Sequence, residues 1–454
     1  MSNNFHNLPV GLSGWVESIA GGNITRLERH VARREAWVVD VTASDGTVFE
    51  GFLRLDRNPV ADSSVSLRRE ARICEALMDT GIPVPQLHGW NEDFHAALFS
   101  RDSGCADVDK LDDKAQQRAV MEDFIRIIAR LHLLDIDALG LDDILGARPQ
   151  TPRDCALADL DALLHQYRRF LSSYTSPLLS YGVQWLQRFA PDSVSRLSLV
   201  QGDTGPVNFM FVDDRVSVIV DWEWGHWGDP MEDLGNICVR EFWNPSGGLD
   251  GLFQLYEEES GLPYRQASAQ YYRVQQNIRG AIPTHAVCAH PPEGQSLAWY
   301  LCYRYVSDRA TCEGIADAMG IEVARPEMPG PVEESDPLLN FAVRSIVDDV
   351  LPRMEEGFAA SRILDAARLT RCAERRTRFG RAVDAIECEE IAELLGVKVA
   401  DLSSSLSALD QAIAAQQLDD EPLLQYLARR AYRDEWLNAP VVELYPDRRW
   451  SQLD

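Results

Sequence analysis

The sequence predicts an α+β fold for about the first hundred residues, a mostly helical region after them, and an all-α segment at the C-terminal end. Three observations support this division. Short β-prone runs follow Asn23, and a helical apolar stripe comes after them at Ser66–Thr80. From Lys114 onward the pattern changes to long amphipathic helices. A stretch rich in proline and acids, Arg325–Pro337, has no apolar periodicity and is typical of a linker.

The first lobe is expected to be a small antiparallel sheet with one helix packed on it. Its first strands read ITRLERHV, AWVVDVT and VFEGFLRL, and Ser44-Asp45-Gly46 supplies turn chemistry between the second and third. The helix at Ser66–Thr80 ends at Gly81. A further strand pair is expected at Gln86–Trp90 and Ala96–Ser100.

The helical region is interrupted by one strand-loop-strand block at Ser198–Trp222. Helices are expected at Ala115–Leu134, Leu157–Ser172, Leu178–Ala190, Met231–Arg240, Gly251–Ser260, Ser268–Arg279 and Ser296–Met319, and after the linker at Phe358–Phe379, Val383–Leu395, Leu402–Ala415 and Glu421–Asn438. We therefore predict an N-terminal lobe at 1–102, a helical lobe at 103–324, a linker at 325–337 and a helical accessory domain at 338–454.

Composition narrows the class of protein. The 454 residues carry a formal net charge of −27, which repels phosphate backbones and anionic lipid heads, so nucleic-acid and membrane partners are disfavoured. Only three basic residues are lysines, and the first 109 residues contain none. The nine cysteines form no CxxC pair, and the N-terminus MSNNFHNLPV has no apolar leader. We expect a reduced, cytoplasmic protein; a homodimer is left open.

The densest chemical signal is LVQGDTGPVNFMFVDDRVSVIVDWE, at 199–223. A strand end delivers Asp203, Asn208 follows five positions later, and an apolar run ends at Asp221. Phosphoryl transfer from ATP needs metal ligands and a carboxylate that orients the attacking hydroxyl. Asp203 would accept the substrate proton, while Asn208 and Asp221 offer the hard oxygen ligands that Mg²⁺ prefers.

This block resembles the catalytic segment of the aminoglycoside phosphotransferase and choline kinase-like family. The family pattern H-G-D-x-x-x-x-N and I-D-W/F-E is matched by QGDTGPVN and IVDWE, and GDPMEDLG follows. The resemblance covers about residues 15–320. It implies a bilobal protein-kinase-like fold with a small antiparallel N-lobe and a helical C-lobe, followed here by the C-terminal all-α domain, and it implies ATP and Mg²⁺. Gln201 stands at the family's histidine position, which usually supports the loop.

The nucleotide side departs from the family. The loop between the first two strands usually holds Gly and Ser, whereas here it contains Arg33 and Arg34. With no lysine in this lobe, Arg54 is the residue placed to hold the phosphates, and Glu70 matches the helix glutamate that pairs with that cation. Such an arginine resembles the subgroup associated with acyl-CoA dehydrogenases. The resemblance also implies a hinge at Ser100 and Arg101, with Phe99 as gatekeeper.

Substrate contacts in the family follow the metal aspartate. We therefore assign Glu223, Trp224, His226 and Trp243 to substrate binding, although core packing is a competing explanation for the aromatic residues and a structural role for the histidine. Glu70 and Arg54 also have a competing explanation as ordinary solvated residues. Two further acids, Asp229 and Asp233, are expected to cap the next helix and brace the catalytic loop.

The implied function is an ATP- and Mg²⁺-dependent O-phosphotransferase acting on a small-molecule hydroxyl, best assigned to a hydroxyacyl-CoA. The C-terminal segment that begins LLNFAVRSIVDDVLPRM resembles a small helical protein that accompanies such kinases. One alternative is a kinase for an aminoglycoside, a macrolide or another metabolite. Another is a pseudokinase-like binding module, because the lysine and the glycine loop are missing.

Overall fold

A computed structural model describes residues 8–30, 35–57, 65–292, 295–355, 357–398 and 400–451. The predicted phosphate-loop residues Arg33 and Arg34 lie outside these ranges. None of the helices within them is both long and apolar enough to cross a lipid bilayer.

The N-terminal part is built on a five-stranded antiparallel sheet, as predicted. The strands are β1 (Asn23–His30), β2 (Glu35–Thr42), β3 (Val48–Leu55), β4 (Leu87–Asn91) and β5 (Ala96–Ser100), in the spatial order β1-β2-β3-β5-β4. Two small antiparallel pairs follow, formed by β6 (Ser198–Val200) with β9 (His226–Gly228) and by β7 (Phe209–Val212) with β8 (Arg215–Ile219).

The remainder is helical. The helices are α1 (Leu12–Ala20), α2 (Leu67–Leu77), α3 (Lys114–His132), α4 (Ile136–Leu139), α5 (Asp142–Leu145), α6 (Pro152–Gln166), α7 (Arg168–Leu171), α8 (Pro177–Arg188), α9 (Pro230–Trp243), α10 (Leu252–Ser260), α11 (Gln266–Ala289), α12 (Leu297–Met319), α13 (Pro337–Arg344), α14 (Phe358–Leu395), α15 (Leu402–Ala414), α16 (Asp420–Leu437) and α17 (Ala439–Val442). Short 3₁₀ turns lie at Val108–Lys110, Trp222–Trp224 and Leu351–Arg353, and a π-helical turn lies at Ser345–Val350.

The two faces of the sheet have different partners. Leu53 and Leu55 of β3 belong to a buried apolar cluster that includes Leu12 and Val16 of α1. Because successive strand residues point to opposite faces, Arg54 points away from that cluster. On that opposite face it meets Glu70 of α2. The alternation of β3 therefore places Arg54 on the helix-covered face of the sheet.

The chain divides into two compact units. The first comprises the described parts of 1–159, 191–269 and 451–454, and the second comprises 160–190 and the described parts of 270–450. The second unit thus joins α8 and α12 to the C-terminal helices. Segment 325–336, predicted as a linker, has no helix or strand, but the backbone N–H of Val332 donates to the carbonyl of Arg378 in α14 at 2.9 Å. The boundary at 325–337 stays a prediction.

Among the differences from the sequence expectation are those in α1, α14 and α11. An additional helix, α1, begins after Gly11, whose φ is +95°. A single helix, α14, replaces the two expected at 358–379 and 383–395, since Gly380 continues it. The third, α11, runs past the expected end at Arg279 and contains Pro283. In both long helices, tertiary packing outweighs the local preference of glycine and proline to interrupt a helix.

Candidate active site

Arg54 and Glu70 form a buried ion pair. Ser66 caps α2 by accepting a hydrogen bond from the Arg69 N–H at 3.2 Å, which puts Glu70 in the first turn, where it is 2% exposed. Arg54 Nη1 lies 2.5 Å from both carboxylate oxygens of Glu70, and its Nη2 lies 4.0 Å from Asp221 Oδ1. The sequence-predicted cation, helix glutamate and metal aspartate are therefore brought together.

The catalytic loop leaves β6 and positions Asp203 against Asn208. The Asn208 Nδ2 donates to the Asp203 carbonyl at 2.7 Å and to Asp203 Oδ2 at 2.9 Å. Two residues in the loop have left-handed backbone conformations, Gly202 at φ +82° and Val207 at φ +71°. A Cβ on Gly202 would lie 2.5 Å from the Trp224 carbonyl, so glycine is required for the loop to pass this close to the next segment.

Gln201 and Asp233 hold that loop from behind. Gln201 accepts from the Asp203 N–H at 2.8 Å and donates through Nε2 to the carbonyls of Val220 and Asp221, both at 3.0 Å. It therefore ties the loop to residues 220 and 221, which follow β8. This is the supporting role expected at this position.

Asp233 lies at the start of α9 and is fully buried. It accepts from the N–H groups of Gln201 at 2.9 Å and Gly202 at 3.0 Å, and from the Thr204 hydroxyl. His132 Nε2 lies 3.0 Å from Asp233 Oδ2. Burial opposes ionisation of Asp233, but these hydrogen bonds outweigh it and hold its pKa below the usual value.

Three carboxylates converge where β8 ends. Asp221 follows β8 with φ +61°, and its carboxylate, that of Glu70 and that of Glu223 have oxygens within 4.8 Å of one another. Glu223 is 1% exposed. Three hard oxygen donors with a single adjacent guanidinium suit a divalent cation such as Mg²⁺. The sequence assigned Glu223 to substrate binding, but its location is within this carboxylate group.

The predicted hinge residues lie along β5 and its exit. Phe99 is buried at 3% exposure, opposite Phe52 of β3. The Ser100 N–H donates to the Gln86 carbonyl at 2.9 Å, and the Arg101 N–H donates to the Glu50 carbonyl at 3.0 Å. Both N–H groups are therefore used within the protein.

The side chains of this exit are also engaged. Ser100 Oγ lies 2.7 Å from His88 Nε2. The Arg101 guanidinium binds Asp40 at 2.7 Å and also binds Glu50. In this structure the arginine thus braces acids of β2 and β3.

The remaining predicted substrate residues fall into two groups. Trp224 and Trp243 are half-buried. His226 is 9% exposed, with Nδ1 2.9 Å from the Trp224 carbonyl and Nε2 3.1 Å from Glu232 Oε2. Burial lowers the pKa of His226, but the Glu232 carboxylate more than offsets this and raises the pKa to about 9. Both ring nitrogens thus have partners within the protein, as expected for the competing explanation that His226 has a structural role.

Asp229 has the expected place of a helix cap. It accepts from the Met231 N–H at 3.1 Å and pairs with Arg265 Nη2 through both oxygens, at 2.7 and 2.6 Å. Together, Asp229 and Asp233 anchor the beginning of α9 and, through Asp233, the catalytic loop.

Sequence reasoning missed Arg240. Its Nε donates to Asp203 Oδ1 at 3.0 Å and its Nη2 binds Asp203 Oδ2. Arg240 lies seven residues after Asp233, two turns along the same face of α9. The spacing was the sequence signal that could have identified Arg240. A helix that binds the loop through Asp233 places residue 240 on the face that lies towards the same loop.

Comparisons with known proteins agree with this geometry. The family described as the phosphotransferase enzyme family matches residues 26–271, more than half of the chain. Acyl-CoA dehydrogenase family member 11 of Rattus norvegicus is 27% identical over 231 residues, 47% of this chain and 28% of the rat protein. Acyl-CoA dehydrogenase family member 10 of Mus musculus is 27% identical over 190 residues, 40% of this chain and 17% of the mouse protein. The chain thus spans less than a third of these curated relatives.

A solved structure supports the fold. A Ralstonia eutropha protein provisionally named an aminoglycoside phosphotransferase superimposes with a TM-score of 0.55 at 20% identity, covering 68% of this chain and 98% of that one. The similarity confirms the predicted kinase-like fold of an antiparallel N-terminal sheet with a helical remainder, to which this chain adds C-terminal helices. With residues 26–271 matched by the family and the fold shared, the chain belongs to the phosphotransferase enzyme family.

Proposed function

We propose that this protein is an ATP- and Mg²⁺-dependent O-kinase that phosphorylates the hydroxyl of a hydroxyacyl-CoA. The observation that carries the kinase assignment is the pairing of Arg54 with Glu70, 4.0 Å from Asp221, in the same unit as the Asp203–Asn208 contact. An N-lobe cation, a metal carboxylate and a base are the parts that phosphoryl transfer requires.

In the proposed reaction the residues of this chain bind and orient the two substrates. Arg54 holds phosphate oxygens of ATP, and Glu70 fixes the guanidinium in place. The oxygen of the acceptor hydroxyl bonds to the γ-phosphorus while Asp203 accepts the hydroxyl proton. The bond between the γ-phosphorus and the β–γ bridging oxygen breaks, which releases ADP. Asp221, Glu223 and Asn208 would hold Mg²⁺, which neutralises the charge on the phosphates when bound.

The acyl-CoA assignment is supported by two features. The curated relatives that match this chain are acyl-CoA dehydrogenase family members 10 and 11, and the N-terminal lobe uses arginine where kinases usually have lysine. An acyl-CoA acceptor also fits a site in which the Arg240 cation lies beside the base.

A second candidate is an aminoglycoside kinase. The provisional name of the Ralstonia eutropha structure and the net charge of −27 favour it, since polycations are attracted to acidic proteins. Net charge is a property of the whole surface. It affects the rate at which a charged ligand meets the protein more than it affects the chemistry of the site, so it favours this candidate only weakly.

A mass-spectrometric screen tests these proposals. The full chain is incubated with Mg²⁺ and ATP against 3-hydroxyacyl-CoA and 4-hydroxyacyl-CoA esters, kanamycin, erythromycin and simple alcohols. We expect a mass gain of one phosphoryl group on an acyl-CoA ester. A phosphorylated antibiotic would favour the second candidate, and no product together with no ATP consumption would favour a binding module without kinase activity.

The variant Asp203→Asn tests whether any transfer seen in the screen depends on Asp203 as the base. The substitution keeps the shape of the side chain and removes the proton acceptor, so we expect kcat to fall by roughly 10²- to 10⁴-fold. Nucleotide affinity, measured by calorimetry, should stay within about twofold, because Asp203 does not contact the nucleotide in the proposed complex. An unchanged rate would remove Asp203 from the role of base.

A further inference from the structure

Arg240 binds the proposed base through a two-point contact. Its Nε and Nη2 face the two oxygens of Asp203, and the side chains of Arg240 and Asp203 remain 22% and 15% exposed. Arginine has five N–H donors. The third nitrogen, Nη1, makes no hydrogen bond or ion pair with any residue in the part of the chain that the structure describes. The guanidinium therefore has donors left for a ligand beside the base.

The loop is shaped around this arginine. Gly205 has φ +138°, and a Cβ built on it would lie 2.5 Å from Arg240 Cβ and 2.9 Å from its Cγ. A side chain at 205 would thus displace the stem of Arg240. The backbone at Gly205 thus lies against the aliphatic stem of Arg240. An incidental surface ion pair would not require this, because such a pair depends only on its charged groups.

The acids of α9 are all used inside the protein. Glu232 pairs with His226, Asp233 holds the catalytic loop, and Glu241 accepts from the N–H groups of Ser246 at 2.7 Å and Gly248 at 2.9 Å. Arg240, in contrast to these acids, is a cation of the helix and binds Asp203. The helix therefore contributes a permanent cation to the acceptor end of the site, with half-buried Trp243 three residues further along.

We propose that Arg240 determines acceptor specificity by donating to a carbonyl or carboxylate oxygen of the acceptor, so that hydroxy acids and their thioesters bind in preference to polycations. This inference rests on the proposed function and names the acceptor class of that same site. The guanidinium fork suits such oxygens. A polycation would meet a like charge within reach of the base, which disfavours its binding.

A binding experiment tests this without requiring turnover. Calorimetry in the presence of Mg²⁺ and a non-hydrolysable ATP analogue compares 3-hydroxybutyryl-CoA with its thioether analogue S-(3-hydroxybutyl)-CoA, which lacks the carbonyl, and with kanamycin. For the wild-type chain we expect the thioester to bind about tenfold or more tightly than the thioether, as a hydrogen bond to a charged donor predicts. We expect kanamycin to bind more weakly than either.

Variants at 240 assign the preference to this residue. Arg240→Gln should bring thioester and thioether affinities within about twofold of each other, and Arg240→Lys should restore part of the difference. Arg215→Gln, which removes an arginine that is 76% exposed on the β7–β8 hairpin, should leave the preference unchanged. ATP-analogue affinity should stay constant in all three variants, which shows that they fold.

The outcomes separate the two proposals. A thioester preference that survives in Arg240→Gln, no preference in the wild-type chain, no binding of either CoA compound, or tighter binding of kanamycin would each overturn the inference. Acceptor binding as expected with no phosphorylated product in the screen would instead contradict the proposed kinase activity and leave the acceptor class standing.

Discussion

At the scale of single residues, Arg54 pairs with Glu70 and is proposed to take the place of the lysine that kinases usually have there. A guanidinium is planar and permanently charged, so it can contact both oxygens of Glu70 and keep donors for phosphate. Glu70 is 2% exposed, and an unpaired carboxylate at that depth would be costly. Fold stability therefore depends on the same pair to which the proposed function assigns nucleotide binding.

Arg54→Ala should affect both properties. Leaving Glu70 buried without its cation should lower the free energy of unfolding by about 3 kcal/mol, and the KM for ATP should rise. Arg57→Ala is the matched control, since Arg57 follows the same strand and pairs with Glu35 instead. Denaturant unfolding and ATP titrations check this. An equal rise in KM for the two variants would mean that Arg54 has no specific role with the phosphates.

His226 gives the first unit a pH-dependent stability. Its pKa is about 9 in the fold and about 6.5 in an unfolded chain, because Glu232 favours the charged ring. The folded-state pKa is the higher one, so the stabilisation is complete below about pH 6.5 and is lost as pH rises towards 9.

Denaturant unfolding between pH 6.5 and 8.5 should therefore show decreasing stability, in a range below the ordinary pKa of thiols. The variant Glu232→Gln should flatten this dependence. If the unfolding free energy of the wild-type chain did not change with pH over this range, the result would contradict a stabilising His226–Glu232 ion pair.

At the scale of secondary-structure elements, α9 organises the catalytic loop. Three charged positions along it have three tasks: Asp229 caps the helix, Asp233 binds the loop backbone and Arg240 binds Asp203. The loop contains two left-handed residues, Gly202 and Val207, and hydrogen bonds to Asp233 of α9 and to Gln201 hold it in place.

Asp233→Asn should loosen the loop while leaving the base in the chain. An amide keeps one acceptor and presents an NH₂ to backbone donors, so we expect a loss of about 2 kcal/mol in unfolding free energy. Misplacing Asp203 should lower kcat by roughly 10- to 100-fold. Asp229→Asn, equally buried at the start of the same helix, should reduce stability with a smaller effect on kcat. A larger kcat loss in the Asp229 variant would refute this division.

Local pattern was enough to predict the sheet and α2, because strands of alternating character and apolar helical stripes are short-range properties. It was not enough for Arg240, whose partner is 37 positions away. It also did not indicate that Glu223 lies beside Glu70, since a carboxylate next to two tryptophans has no local signal for that contact. The joined helix α14 was missed because Gly380 is locally a helix breaker.

At the scale of the whole molecule, the second unit combines helices from both sides of the predicted linker. Arg309 of α12 is 1% exposed, and it binds Glu435 of α16 at 2.6 Å and the carbonyl of Arg448 at 3.0 Å. Ala298, Cys372 and Val441 form a shared apolar cluster. These contacts make the C-terminal helices part of one core with α12.

Truncation after Asp336 should therefore destabilise the remaining chain. It would expose the apolar face of α12 and leave Arg309 with fewer acceptors, so we expect aggregation or loss of a cooperative thermal transition, measured by circular dichroism and size-exclusion chromatography. Glu435→Gln tests the same contact in the full chain and should cost about 2 kcal/mol in unfolding free energy. If both fragments folded independently and melted at the temperature of the full chain, the result would support the predicted boundary at 325–337.

The absence of lysine from the first 109 residues has a chemical consequence if the acceptor is the proposed thioester. Acyl-CoA esters are electrophiles, and a neutral lysine amine near a bound thioester is a nucleophile that can take the acyl group. The guanidinium of Arg54 stays protonated and does not react in this way. Lys110, the first lysine of the chain, is exposed and pairs with Asp107. The proposed phosphate-binding cation is therefore one that the proposed acyl-CoA acceptor cannot acylate, and amine-directed nucleotide probes would leave Arg54 unlabelled.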